Sequence, residues 1–226
     1  MDKNDEKIGW WRFSKSYLYM AKLGCQELLN DKSTSYKFDN GVLKLQYQPD
    51  DIFIAINYNA KHGIECFLKS IKLTYHDELE RTDHHHDIST LFGFVRKTIM
   101  KDIKKIKDEI EKELNKNPDD IELQIAKRDA DNFNSIFLSL ESIVSKFYHC
   151  DVLKNKIEND FIIEDIKNDF FRFPDNSLKI KLNYPAVLSR ISSSDIKDIY
   201  DDITILTERF NSLAFMIAIY KKIHSK

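Results

Sequence analysis

Residues that interrupt helices are scarce in this chain, and this scarcity constrains its fold more than any other feature. Only 5 of the 226 residues are glycine and 4 are proline. No stretch is rich in Gly and Ser, or in Pro, as an interdomain linker would be. Apolar residues make up 42% of the chain, which is enough for a sizeable core. We therefore expect a single domain over residues 1–226.

Apolar side chains recur three and four positions apart in several long segments, which is the spacing of one helix face. Helices are predicted over about residues 9–29, 51–75, 86–116 and 119–148, and a last helix is predicted after a cap at residues 192–195. The apolar face of the second helix consists of Phe53, Ile56, Ala60, Ile64, Phe67 and Ile71. The pattern predicts a mainly α fold, an antiparallel helical bundle.

Two additions to this bundle are predicted. Asn40-Gly41 lies between two short β-prone runs and can adopt the positive backbone dihedrals of a tight turn, which indicates a small β-hairpin insert. The third and fourth helices meet at Pro118 in a segment that is mostly charged. We expect this segment, about residues 97–132, to form a protruding charged helical hairpin that is solvated at its tip.

Charge and cysteine content exclude several classes of protein. Lys and Arg number 35 against 37 Asp and Glu, so the net charge of −2 gives no global attraction to nucleic acid or membrane. Cys25, Cys66 and Cys150 are far apart and form no CxxC pair, so we expect buried, reduced thiols. No signal peptide and no apolar run of membrane-spanning length is evident. These features indicate a cytoplasmic protein.

A polar stripe lies on the second predicted helix, roughly opposite its apolar face. It consists of Tyr58, His62, Glu65, Lys69 and His76, which a rotation of 100° per residue brings together. Its members are three and four residues apart and can interact along one surface. Two interpretations follow: a polar groove that binds a nucleotide or phosphate, or an ion-pair network that fixes the helix against its neighbour.

Three consecutive histidines precede the third helix, within residues 83–87. Neighbouring side chains point to different sides in any regular backbone, so the three are not expected to converge on a metal ion. The segment is either a loop in which His86 caps the helix, or a site in which a histidine is catalytic or binds phosphate. Helix three has a basic start, formed by Arg96, Lys97, Lys101, Lys104, Lys105 and Lys107. This pattern predicts either a solvated face or a surface that follows a nucleic-acid backbone.

Three short motifs occur in an order that resembles HEPN domains, the higher eukaryotes and prokaryotes nucleotide-binding group. His62-x-x-Glu65-x-x-x-Lys69 is similar to the signature of their second helix. The run at residues 86–92, His-Asp-Ile-x-x-Leu-Phe, resembles the His-Asp-Leu-x-x-Leu with which many of them open the next helix. Arg172-Phe173-Pro174 is similar to the Arg-Tyr-Pro that often precedes their final helix. The resemblance covers about residues 10–222.

The resemblance implies a nucleotide- or RNA-associated protein that forms a homodimer, works in bacterial defence or a toxin–antitoxin pair, and uses no cofactor. Catalytic HEPN domains are metal-independent endoribonucleases with Arg-x(4–6)-His near the start of a late helix. Here Arg190 and Arg209 are not followed by histidine at that spacing, and the match is instead Arg81 with His86. The sequence thus predicts His62, Glu65, Lys69 and Arg172 as nucleotide- or RNA-binding residues.

Two alternatives remain open at this point. In one, the protein is an endoribonuclease in which Arg81 and His86 are catalytic, with His62 and Arg172 nearby. In the other, it is a non-catalytic interaction module whose charged hairpin tip engages a partner protein.

Overall fold

The computed structural model of this chain describes residues 3–30, 37–39, 42–44, 49–76, 86–154, 156, 165, 171 and 189–224. Its helices are α1 (Lys3–Leu29), α2 (Pro49–His76), α3 (Ile88–Lys116), α4 (Ile121–Asp131), α5 (Phe133–Tyr148) and α6 (Ser193–His224). Strands β1 (Lys37–Asp39) and β2 (Val42–Lys44) pair antiparallel, with Phe38 opposite Leu43. A 3-10 turn covers Asp151–Leu153. The predicted mainly α bundle is confirmed in the part of the chain that is described.

Helix α2 is the centre of the bundle, with contacts to α1, α3, α5 and α6. All six residues of its predicted apolar face are buried. Phe67 stacks on Phe210 of α6 with 3.6 Å between ring centroids, and the ring of Trp11 on α1 lies tilted against Phe67 at 5.4 Å. Burial extends around most of the helix, because neighbours enclose it on several sides. Polar residues of α2 are therefore held inside the protein as well.

Glycine allows α1 and α2 to approach closely. A Cβ atom on Gly63 would lie 2.6 Å from Cγ and 3.2 Å from the backbone nitrogen of Leu18, which is buried in the α1–α2 interface. The Ser14 hydroxyl donates a hydrogen bond to the Gly63 carbonyl oxygen at 2.8 Å. This contact sets the position of α1 next to the part of α2 that carries His62.

Gly63→Ala is expected to destabilise the protein by about 0–2 kcal/mol, because a collision with Leu18 costs about 1–3 kcal/mol and the better helix propensity of Ala returns about 1 kcal/mol. Urea unfolding followed by far-ultraviolet circular dichroism measures the change. Gly93→Ala is the matched control, since a Cβ atom there meets nothing within 4 Å. We expect Gly93→Ala to stabilise α3; a similar gain from Gly63→Ala would contradict the close contact.

The predicted fourth helix is wrong as a single element, because the chain bends at Asn132 between α4 and α5. Asn132 has φ −88° and ψ 9°, and its side-chain amide donates to the Arg128 carbonyl oxygen at 3.0 Å. The bend lays α4 against α3 and α6, so the charged hairpin does not protrude freely. The helix buries Leu123, Ala126 and Ala130. The apolar side of α4 was not predicted, because most of the surrounding positions in the sequence are charged.

Helix α6 runs through the bundle as its longest helix among the described residues. It buries ten side chains: Ile196, Ile199, Ile203, Leu206, Phe210, Leu213, Met216, Ile217, Ile219 and Tyr220. By length and composition it also meets the criterion for a membrane span, with a mean hydropathy of 1.2 over 18 residues. This criterion allows two charged residues, so it does not bear on the expectation that no uninterrupted apolar run reaches membrane-spanning length. Core helices meet the same criterion, so this property alone does not assign α6 to a membrane.

Candidate functional site

Glu65 of α2 is the centre of a buried polar cluster. Its carboxylate accepts a hydrogen bond from Lys69 Nζ at 2.6 Å and lies 2.9 and 3.0 Å from His86 Nδ1 through its two oxygens. His62 Nδ1 lies 3.6 Å from Oε2 of the same carboxylate. Four residues that the sequence predicted to form or adjoin the site, His62, Glu65, Lys69 and His86, are therefore brought together.

His86 reaches this cluster because it does not cap α3. The cap is Asp87, whose Oδ1 accepts from the backbone N–H groups of Ser89 and Thr90 at 2.9 and 3.0 Å. A carboxylate at this position satisfies free N–H groups at the start of the helix. The expectation that His86 caps the helix is therefore wrong. Its ring instead faces the carboxylate on α2, 21 positions earlier in the sequence.

Aromatic rings surround the cluster on the α1 side. Tyr17 meets the His62 ring edge-on at 5.2 Å, and Tyr58 contacts the same ring at 4.6 Å with its hydroxyl 3.3 Å from Nε2. The His62 and His86 rings are stacked at 6.0 Å with planes 15° apart. Trp10 lies beneath Lys69, with Nζ 5.1 Å from the ring centroid. The two imidazoles are thus fixed side by side.

Exposure differs sharply within the cluster. The side chain of Glu65 is 4% exposed, whereas that of His86 is 36% exposed. The Glu65 contact occupies Nδ1 of His86, so Nε2 on the far side of the ring is the nitrogen that remains for another partner. A carboxylate that fixes the tautomer and orientation of an imidazole is a recurring arrangement in general acid–base sites and metal sites.

The pKa of Glu65 lies below its ordinary value. Burial by itself would raise the pKa, but the hydrogen bonds and positive charge of Lys69, together with the contact to His86, outweigh burial and lower it. The charged form of Glu65 is therefore the one the fold stabilises. Burial is also the first cause of the raised pKa of Tyr17, with Cys66, Tyr58 and Glu65 adding to it.

Glu65→Gln is expected to reduce the free energy of unfolding at pH 7 by about 2–4 kcal/mol, because Lys69 loses a buried anionic partner. Since the pKa of Glu65 is depressed in the fold, its contribution is complete above the ordinary value of 4.5 and is lost as the pH falls through the folded pKa. The difference between wild type and variant should therefore shrink in acid. Urea unfolding from pH 7 to pH 3 tests this.

Glu141→Gln is the control for that series, because Glu141 pairs with Arg96 at the surface and such pairs contribute about 0–1 kcal/mol. A difference between wild type and Glu65→Gln that stays constant down to pH 3 would show that Glu65 does not act through its charge.

Comparison with protein-family models, with curated proteins and with solved structures finds no match for this chain. The resemblance to HEPN domains therefore stays a prediction that rests on the three motifs. Arg81 and Arg172, predicted as catalytic and RNA-binding residues, lie outside the described residues, as does the side chain of His76. In the described part of the chain, no three or more His, Cys, Asp or Glu side chains are grouped to hold a metal ion.

A second buried charge pair was missed by the sequence reasoning. Lys61 of α2 forms an ion pair with Asp165, and the two side chains are 1% and 0% exposed. Lys61 Nζ also lies 3.5 Å from Cys150 Sγ and 5.6 Å from the centroid of Phe171. The only sequence signal for this ion pair was that Lys61 lies among apolar neighbours within the motif. Its partner, Asp165, lies 104 positions away and is part of no recognisable pattern.

All three cysteines are free and buried, as predicted. Burial raises the pKa of the Cys25 and Cys66 thiols to about 12 and, although Lys61 lowers it in part, raises that of Cys150 to about 11. None of the three is suited to act as a thiolate nucleophile.

The basic start of α3 forms an exposed ridge. Lys97, Lys101, Lys104 and Lys105 are exposed, and none of them pairs with a carboxylate among the described residues. Arg96 and Lys107, by contrast, pair with Glu141 and Asp131. Helix α3 begins two residues after His86, so the ridge lies on the helix that directly follows the cluster in the chain.

Proposed function

We propose that this chain is a HEPN-like protein that binds RNA at the Glu65 cluster. The observation that carries the proposal is the half-exposed His86, held through Nδ1 by the buried Glu65 carboxylate and stacked against His62. Nε2 of His86 is the atom through which this cluster can donate to, or accept from, a bound phosphate or sugar. The bacterial defence or toxin–antitoxin setting and the homodimer are proposals that come from the sequence resemblance, and the cytoplasmic location is a proposal that comes from the composition of the sequence.

Electrostatics favour an anionic ligand. Within the cluster one carboxylate faces one ammonium group, so the formal charge is zero when both imidazoles are neutral and positive when either takes up a proton. The lysine ridge on α3 adds four unpaired cations. Counterion release from a nucleic-acid backbone would make these cations the main source of affinity, and salt would weaken binding.

The ridge favours a strand of RNA over a single nucleotide. Lys97, Lys101 and Lys105 are each four residues apart, which corresponds to about 6 Å along a helix axis. A ligand must therefore extend over more than 10 Å to contact all three, at about 1.5 Å per residue. A chain of nucleotides offers phosphates over that length, whereas one nucleotide would reach the cluster or one lysine.

Binding of a fluorescently labelled single-stranded RNA tests the proposal, measured by anisotropy over a range of salt concentrations. Lys97→Ser/Lys101→Ser should reduce the slope of log K against log salt by about 1.4, since each phosphate contact contributes about 0.7 for single strands. Substitution of two lysines on α1, Lys15→Ser/Lys22→Ser, is the matched control and should leave the slope unchanged. Failure of RNA to bind at low salt would contradict the proposal.

A second candidate, a metal-independent endoribonuclease, is favoured by the bond between Glu65 and His86. Nε2 of His86 would take the proton of a ribose 2′-hydroxyl, whose oxygen attacks the adjacent phosphorus while the 5′ oxygen leaves. His62 is the nearest other group that could supply a proton to that leaving oxygen. This candidate would use Arg81 to stabilise the phosphate charge.

A further inference from the structure

A cavity of about 730 Å³ lies between α1, α2, α4 and α6, away from the Glu65 cluster. Its volume is in the range of small-molecule sites, about 300–1,000 Å³. The walls are mainly apolar and are formed by Ile8, Trp11, Ile71, Ile125, Phe215 and Ile217. The cavity is therefore large enough for an organic ligand that is mostly hydrocarbon.

The two hydroxyl groups that α2 contributes to the wall are already satisfied by the protein. Ser70 Oγ donates to the Phe67 carbonyl oxygen at 2.7 Å, and Thr74 Oγ1 donates to the Ser70 carbonyl oxygen at 2.8 Å. Both therefore turn their donors toward the α2 backbone. A ligand body in this part of the cavity gains from burial of apolar surface and need not supply polar groups.

Charged residues are also found among the described lining side chains. Asp129 is buried and already engaged, because Arg128 Nε and Nη2 both donate to its Oδ1 at 3.1 and 2.9 Å. Lys221 is a further cation of the lining and complements a ligand that carries one acidic group.

Lys221 is the cation best placed to meet that group. It is exposed, and its Nζ lies 5.1 Å from the centroid of the Tyr75 ring, which holds the ammonium group over α2. It pairs with no carboxylate among the described residues. The next residue, Lys222, instead forms an ion pair with Glu122 at 3.0 Å and does not line this cavity.

We propose that this cavity binds a long-chain fatty acid, with the alkyl chain against the apolar walls and the carboxylate at Lys221. The apolar interior accounts for the chain, and the Lys221 ammonium group accounts for the acid, since the Asp129 carboxylate is already engaged by Arg128. The proposal is independent of the RNA-binding proposal, because the two regions share no residue: Trp10 lies under Lys69 in the Glu65 cluster, whereas Trp11 lines the cavity.

The adjacent tryptophans supply the test. The chain contains 2 tryptophans, so a Trp10→Phe variant leaves Trp11 as the sole reporter, inside the cavity. Titration with sodium laurate below its micelle concentration is expected to change Trp11 fluorescence in a saturable way and to raise the melting temperature. Dodecanol, which has the same chain without the charge, should bind at least fivefold more weakly than laurate. No saturable change with laurate, or equal affinity for the two ligands, would overturn the proposal.

Substitutions locate the bound molecule. Lys221→Ala should weaken laurate at least fivefold, whereas the matched control Lys222→Ala should change affinity less than twofold. Ala218→Phe, at an exposed lining position, should weaken it at least tenfold by filling the cavity. Unchanged affinity in Lys221→Ala or in Ala218→Phe would overturn the proposal. So would a light-scattering result in which Ala218→Glu converts a dimer to a monomer and laurate does not bind, since the occupant would then be a second copy of this chain.

Discussion

Asp165→Ala is expected to destabilise the protein by about 3–5 kcal/mol, because it leaves the Lys61 ammonium group buried without its anionic partner. Both side chains are almost completely enclosed. The other described contacts of that ammonium group are a thiol and the face of Phe171, which cannot replace a carboxylate. Urea unfolding followed by circular dichroism gives the free energy. Asp201→Ala, which breaks a surface pair on α6 with Lys197, is the control and should cost about 0.3–0.5 kcal/mol.

The same pair allows a sharper comparison through a double substitution. Lys61→Met/Asp165→Leu removes both charges and should recover most of the loss, since apolar residues of similar volume often replace a buried pair at no cost. If Asp165→Ala costs less than about 1 kcal/mol, the pair is not buried in solution as it is in the structure. The backbone N–H of Asp165 also donates to the Tyr148 carbonyl oxygen at 3.2 Å. The ion pair therefore holds residue 165 against α2, and this hydrogen bond holds it against α5.

If the chain is an endoribonuclease, His86→Asn should lower the cleavage rate by about 10²–10⁴-fold, the usual contribution of a general acid or base. The Asn side-chain amide can still donate to Glu65 from the position of Nδ1, but it lacks the outward nitrogen that would take the proton. Cleavage of a 5′-labelled RNA in the presence of EDTA gives the rate. A product that ends in a 2′,3′-cyclic phosphate would identify the 2′-oxygen as the nucleophile.

His224→Ala is the matched control for that experiment, because His224 is exposed at the end of α6 and is remote in sequence from the cluster. It should cleave at the wild-type rate. RNA that stays intact at high protein excess would exclude the nuclease while leaving the RNA-binding proposal standing. Equal cleavage by wild type and His86→Asn would assign the activity to a contaminant or to another site.

Much of the helical framework could be predicted, because the spacing of apolar residues along the chain determines which side chains share a helix face. The buried face of α2 and the stripe Ser14, Leu18, Ala21 and Cys25 on α1 follow from apolar residues three and four apart. The break at Asn132 could not be predicted in this way. The spacing of apolar residues continues through it, whereas the bend is accompanied by the packing of α4 against α3 and α6.

The candidate site likewise has a part that could be predicted from the sequence and a part that could not. Periodicity places His62, Glu65 and Lys69 on one face of a helix, since their relative angles depend only on the helical rotation. Their surroundings depend on other segments: Asp87 takes the cap of α3, and His86 then contacts Glu65. The buried ion pair of Glu65 and Lys69 agrees with the interpretation of the stripe as an ion-pair network, and the nucleotide-binding interpretation stays a prediction.

By itself, the sequence determined the helical class, the apolar faces and the grouping of three polar residues, because each depends on neighbours within one or two helical turns. Only the tertiary structure decided which groups are buried and what they contact. The partner of Lys61 comes from 104 positions away, and the apolar cavity beside Trp11 combines four helices. Burial and electrostatic pairing depend on everything that surrounds a side chain, and no local pattern contains that information.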